Sequence, residues 1–170
     1  MLNKIITSKT RLRLLIKFFI SQTNKGYLNG LANEFGESTN AIRKELNHLH
    51  GAGYLKKIKK ENKVEYTVNI KHPLYDTLRS VVLKHLGLED IVESVLEKMG
   101  NVKKIILIGD YAKGNDSGKI EIFLVGKNLN TEYISQLEPK IEKMINRKVT
   151  FYLSVKFISD QKHILLYEAN

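Results

Sequence analysis

Apolar side chains at Leu12, Leu15, Ile16 and Phe19 recur at helical spacing between Thr10 and Gln22, and Asn24-Lys25-Gly26 supplies a stop. Leu28, Leu31, Ala32 and Phe35 repeat the pattern over about two turns up to Gly36, and Glu37-Ser38 then makes a tight turn. Ser38 or Thr39 can accept hydrogen bonds from the free amides that open a third helix, which runs to His50 and is closed by Gly51-Ala52-Gly53. Ile42, Leu46 and Leu49 form its apolar stripe. A step of 100° per residue sets Asn40, Lys44 and Asn47 opposite that stripe, with Thr39 and Arg43 on its flank. Tyr54 to Lys60 and Val64 to Asn69 read as two strands, with Val64, Tyr66 and Val68 on one face and Glu61-Asn62-Lys63 at the tip. Two amphipathic helices follow. The first carries Leu74, Leu78, Val81, Val82 and His85, and the second Leu88, Ile91, Val92, Val95, Leu96 and Met99, with Gly87 between them and Gly100 at the end. Beyond them, Val102 to Ile108, Ile120 to Val125 and Val149 to Ile158 read as strands, and Ile134, Leu137, Ile141, Met144 and Ile145 as a helix that Pro139 should kink or split. The class is α+β.

Composition narrows the possibilities. The 170 residues, 42% hydrophobic and 27% charged, fit one or two ordinary globular domains. There is no cysteine, which removes disulfides, thiolate metal clusters and cysteine nucleophiles and fits a reducing compartment. The longest apolar run, Leu14 to Ile20, is broken by Lys17 and is far short of the roughly 20 residues of a membrane span, and no cleavable leader is visible. The expected location is cytoplasmic. Charge is the more informative property. Residues 1–87 hold 16 lysines and arginines against 6 acids, whereas residues 88–170 hold 12 against 12, so the whole formal excess of +10 lies in the first half. A basic block beside a neutral one implies two modules with different partners, and a polyanion suits the first. Because many of the lysines lie on the hairpin from Lys56 to Lys63, phosphate tracking is favoured over a membrane-surface helix, which sets bulky apolar groups against lysine on one helix.

Three helices, the last two joined by a short turn, and then a basic hairpin follow the order of a winged helix-turn-helix domain. The stretch Leu31 to Leu49 followed by Gly51-Ala52-Gly53-Tyr54-Leu55 resembles winged-helix repressors of the bacterial arsenic-repressor type, with small Ala32, turn Gly36 and the cap at Ser38 at matching intervals. The resemblance covers roughly residues 8 to 70. It implies a transcriptional regulator that binds double-stranded DNA as a homodimer, with the helix from Ser38 to His50 in the major groove and the hairpin on the backbone or minor groove. The expected DNA-binding residues are Ser38, Thr39, Asn40, Arg43, Lys44 and Asn47 on the helix and Lys57, Lys59, Lys60 and Lys63 on the hairpin. Amide and cationic side chains are the types that read base edges or clamp phosphates.

In the second half, Gly109-Asp110-Tyr111-Ala112-Lys113-Gly114, a short loop, and Lys119-Ile120-Glu121-Ile122 are similar to the signature of minimal nucleotidyltransferases, Gly-Ser-x-x-x-Gly and then Asp-x-Asp on a strand. Residues two apart on a strand point to one side, so two aspartates there hold divalent cations against a triphosphate. Here Lys119 and Glu121 stand in those places, Asp110 replaces the serine, and the later strand offers Thr150 or Tyr152 where a third carboxylate belongs. The resemblance therefore carries a fold and no activity: no catalytic, metal-binding or cofactor-binding residue is expected. The expected organisation is a DNA-binding domain over 1–71, a helical linker or dimerisation segment over 72–100, and an inactive nucleotidyltransferase-like domain over 101–170 that senses a small-molecule or protein effector, binds a partner protein or builds the dimer. Two alternatives stand beside it: a working nucleotidyltransferase with substitute carboxylates such as Asp110, Asp116 and Glu121, and a protein-docking winged helix.

Overall fold

The computed structural model describes residues 2–170, which divide into two compact units, one ending at Val82 and the other beginning at Leu83. In the first, a 3-10 turn (Leu2–Lys4) precedes α1 (Lys9–Phe19), β1 (Lys25–Gly26), α2 (Leu28–Phe35), α3 (Thr39–Gly51), β2 (Leu55–Lys60) and β3 (Lys63–Val68). Ser8 caps α1, its Oγ accepting from the Arg11 amide at 3.2 Å. Leu14, Ile16, Phe18, Phe19 and Ile20 are all but inaccessible, so α1 is buried on more of its circumference than its four-residue stripe implies. At the end of α2, Gly36 takes the left-handed conformation (φ 64°) and the Glu37 amide reaches back to the Ala32 carbonyl at 3.0 Å, a turn a side-chain-bearing residue enters only at a cost. Ser38 then opens α3 by accepting from the Ala41 amide at 3.2 Å, and Ile42, Leu46 and Leu49 bury the expected stripe.

The hairpin β2–β3 is antiparallel from Leu55↔Val68 to Lys60↔Lys63, so the tip is the pair Glu61-Asn62 and Lys63 is a strand residue. Two expectations change here. Lys25 and Gly26, read as a helix stop, form an extra strand on β3, giving a three-stranded sheet of order β1-β3-β2. The expected apolar face of β3 is incomplete as well. Tyr66 and Val68 are buried, but Val64 is exposed because it lies near the tip, and on the opposite face Glu65 is almost inaccessible. The helix order, short α2–α3 turn and terminal hairpin constitute a winged helix-turn-helix arrangement.

Helix α4 (Tyr75–Leu86) contains the division between the units. The second unit continues with α5 (Leu88–Lys98), β4 (Asn101–Ile108), α6 (Gly109–Ala112), β5 (Lys119–Lys127), α7 (Thr131–Ile145), β6 (Lys148–Ser154) and β7 (Ile164–Glu168). Its sheet has the order β6-β5-β4-β7; β4 is antiparallel to both neighbours, and β5 and β6 run parallel through the α7 crossover. Register sets Ile105, Leu107, Ile122 and Leu124 on one face, each fully buried, under α5 and α7. Helix α5 packs within this unit through Leu88, Ile91, Val95 and Met99, and buried Ser94 takes the place expected of Leu96, which is 40% exposed.

Two further expectations are corrected. Helix α7 is not split at Pro139, which sits on its exposed side, where water can hydrate the Ser135 carbonyl that loses its amide partner. The strand expected to reach Ile158 ends at Ser154, the last residue paired with β5; Val155 and Ile158 are then exposed, and the missed strand β7 closes the far edge of the sheet. No helix among the described residues is long and apolar enough to cross a membrane.

Candidate nucleic-acid interface

The expected reading face of α3 is solvent-facing: Ser38, Thr39, Asn40, Arg43, Lys44 and Asn47 are all exposed. Ser38 is committed to its cap. Arg43 donates through Nη1 to Asn40 Oδ1 at 2.8 Å, so these two side chains form one preorganised donor group on the first turns of the helix. That helix is fixed from behind by charge as well as by its apolar stripe. Arg11 of α1 donates to the Glu45 carboxylate at 2.8 Å, and Ser8 donates to the same carboxylate at 3.1 Å. Burial pushes the Glu45 carboxyl up, but the hydrogen bonds from Arg11 and Ser8, with the charge of Arg11, hold it below its ordinary value. Two more cations of α1 brace the neighbouring helix and turn. Arg13 pairs with Glu37 at 3.0 Å and donates to the Phe35 carbonyl at 2.8 Å, and buried Lys17 pairs with Glu34 at 2.8 Å.

The hairpin lysines separate into two groups. Cross-strand register puts Lys57 and Lys59 on the face shared with Tyr66 and Val64, and Lys60 and Lys63 on the opposite one. Among the described residues no acid lies within ion-pair distance of Lys57, Lys59, Arg43 or Lys44. Lys60, by contrast, pairs with Glu65 at 3.1 Å, and Lys63 places its ammonium 5.7 Å from the centre of the Tyr27 ring. Glu65 also accepts from the Tyr27 hydroxyl at 2.5 Å and lies 3.7 Å from the Lys25 ammonium. Hydrogen bonds from Tyr27 and Lys60 lower its pKa, and the same bond raises that of the Tyr27 hydroxyl. Between the start of α2, the exposed face of α3 and the hairpin tip lies a cleft of about 550 Å³ bordered by Asn29, Arg43, Asn47 and Lys63. The sequence pattern missed Tyr27, Lys25 and Glu65, because nothing local marks an acid inside a basic hairpin as buried.

In the second unit Lys119 and Glu121 stand two apart on β5 and pair with each other at 3.8 Å. Glu121 also accepts from the Tyr152 hydroxyl at 3.0 Å, faces Thr150 across the parallel β5–β6 pair, and presses against Gly109, leaving no room there for a Cβ. Asp116 is elsewhere: it accepts from the buried Tyr111 hydroxyl and pairs with Arg147 at 3.4 Å. Asp110 is exposed on α6. Asp116 and Glu121, two of the substitute carboxylates weighed from sequence, are thus each bound into different contacts, and no group of three histidines, aspartates or glutamates among the described residues could hold a metal ion.

No family model matches the sequence, and no curated protein matches it either. Among solved structures, the chain is similar to reduced HlyU from Vibrio cholerae, at 19% identity over 49% of this chain and 82% of that one, with a TM-score of 0.39. It is similar to the AntR antimony-specific transcriptional repressor at 22% identity over 54% and 77%, TM-score 0.41. The transcriptional regulator BldR from Sulfolobus solfataricus is similar at 16% identity over 58% and 69%, TM-score 0.39.

Proposed function

We propose that the first unit binds double-stranded DNA and that the chain is a transcriptional regulator. The observation that carries this reading is the exposed group formed by Asn40, Arg43, Lys44 and Asn47, which has donors and cations but, among the described residues, no acid within ion-pair distance. Asn and Arg suit base edges, and Arg43, already held by Asn40, loses less freedom on engaging one. Lys44, Lys57 and Lys59 supply the sequence-independent phosphate term. The likeness to repressors implies a homodimer on a roughly palindromic site with half-sites a helical turn or a multiple apart. Binding to a duplex selected from random DNA, followed by fluorescence anisotropy across a salt series, tests the reading. Log affinity should fall linearly with log salt, at about 0.9 per phosphate neutralised, and a flat response or none refutes it. Arg43→Ala should relax preference at one base step and cost about 1–3 kcal/mol, whereas Lys57→Ala should weaken all duplexes alike and reduce the slope by about 1.

For the second unit the reading is a nucleotidyltransferase-like domain without phosphoryl chemistry that serves as the effector or partner module. Support comes from the order β4, α6, β5, from the placement of Lys119 and Glu121 on one side of β5, and from the parallel β6 that puts Thr150 beside them. An ammonium in the place of a metal-binding aspartate repels the divalent cation that the reaction needs. Incubation with labelled nucleoside triphosphates and Mg²⁺ or Mn²⁺ should transfer no label; transfer that is lost in Glu121→Gln overturns this part.

A further inference from the structure

The buried acid of the wing has no place in a simple phosphate-tracking hairpin. Glu65 lies on the central strand β3 with a side chain only 5% exposed, and contacts from three directions converge on it. Tyr27, the residue that precedes α2, donates its hydroxyl; Lys60, at the end of β2, straddles both carboxylate oxygens at 3.1 and 3.2 Å; and Lys25, on β1, approaches Oε1 at 3.7 Å. The carboxylate thus joins β1, the start of α2 and the hairpin, and it sits between two of the lysines that make the region basic. The pair on the other face, Lys57 and Lys59, has no such partner among the described residues.

We propose that Glu65 is a positioning residue that holds the wing against the start of α2 and draws Lys25 and Lys60 away from DNA phosphates, so that the wing grips the backbone through the lysines that have no acid partner, Lys57 and Lys59 among them. The inference rests on the DNA-binding reading above and refines it: Lys60 was expected among the contacts, and its ammonium, on a half-exposed side chain, is held by Glu65. The consequence is a weaker sequence-independent grip. Every cation free to meet phosphate strengthens binding to all duplexes equally, so holding these two against Glu65 weakens the phosphate term on every duplex and leaves base reading by α3 untouched.

The test is the salt slope of the full chain on its selected duplex and on a random duplex of equal length. Glu65→Gln keeps the size of the side chain and an acceptor for Tyr27 but removes the charge that holds two ammonium groups. It should steepen the slope by about 1 on both duplexes and raise affinity for both at low salt several-fold, leaving the ratio between them unchanged. Lys60→Gln and Lys57→Gln supply a comparison that does not depend on how Glu65→Gln folds: the first should leave the slope unchanged, and the second should reduce it by about 1. A purely structural role for Glu65 would change melting temperature and leave those slopes alone. Equal losses of slope for Lys60→Gln and Lys57→Gln, or an unchanged slope in a folded Glu65→Gln, overturn the proposal while the DNA-binding reading stands. Absence of duplex binding by the unaltered chain overturns both.

Discussion

Glu45→Gln measures how firmly the exposed helix α3 is anchored. At the 2.8 Å separation of Arg11 Nε and Glu45 Oε2, an effective dielectric constant of about 20 gives a gross attraction of roughly 6 kcal/mol. Much of that is offset, because the glutamate side chain is only 8% exposed and had to leave water, while Arg11 at 35% stays partly hydrated. Exposed pairs contribute about 0–1 kcal/mol and broken buried ones cost about 3–5, so this half-buried pair with its added Ser8 hydrogen bond falls near 2 kcal/mol. If the first unit melts as its own transition, calorimetry at pH 7 should show it about 8–16 °C lower in the variant. The pH dependence supplies the sharper test. The Glu45 carboxyl is depressed in the folded state, so its contribution is complete above the ordinary glutamate value of about 4.3 and disappears as pH falls through the lower folded value. The difference between the two proteins should therefore be constant from pH 7 to about 5 and shrink below that. A difference that persists in full at pH 2, or a variant as stable as the original at pH 7, refutes the anchoring argument; a double-mutant cycle with Arg11→Met isolates the pair.

Gly87 has φ 78°, and a Cβ built there comes within 2.8 Å of Ile145 Cβ, so Gly87→Ala should destabilise the second unit by about 2 kcal/mol or more in urea unfolding. Pro139→Ala restores an amide for the Ser135 carbonyl and should stabilise the same unit by about 1–2 kcal/mol, less than the full mid-helix penalty because the unfolded chain gains freedom as well. Burial and the Asp116 hydrogen bond push the Tyr111 hydroxyl up to about 12. Its ionisation should lag in an absorbance titration, and stability should decline between the ordinary value of about 10 and about 12, a step removed by Tyr111→Phe.

The periodic parts of the molecule were legible because each signal is local. Ser38 before an apolar stripe opens α3, glycine follows α2, and alternation marks the hairpin, so the exposed side of α3 could be named from spacing alone. What escaped depends on partners distant in sequence. Lys25-Gly26 is a strand only because Thr67 and Tyr66 lie beside it, and Val155 to Ile158 continues a strand-like pattern after the pairing of β6 with β5 has stopped at Ser154. The division of the hairpin lysines escaped for the same reason: Lys60 and Lys57 look alike until Glu65 is seen inside the sheet.

The charge count needs the same correction before it can describe a binding surface. Of the six acids in residues 1–87, Glu34, Glu37, Glu45 and Glu65 are engaged in internal ion pairs, and their partners are Lys17, Arg13, Arg11, Lys25 and Lys60. Three of those cations belong to α1 and fasten the helices from behind. The acids are thus drawn toward the scaffold, and the cations left without them include Arg43 and Lys44 on α3 and Lys57 and Lys59 on β2. On the proposed DNA-binding reading, a duplex meets the field of these unpaired cations. The salt slope should report the unpaired cations on α3 and the wing and not the paired cations of α1.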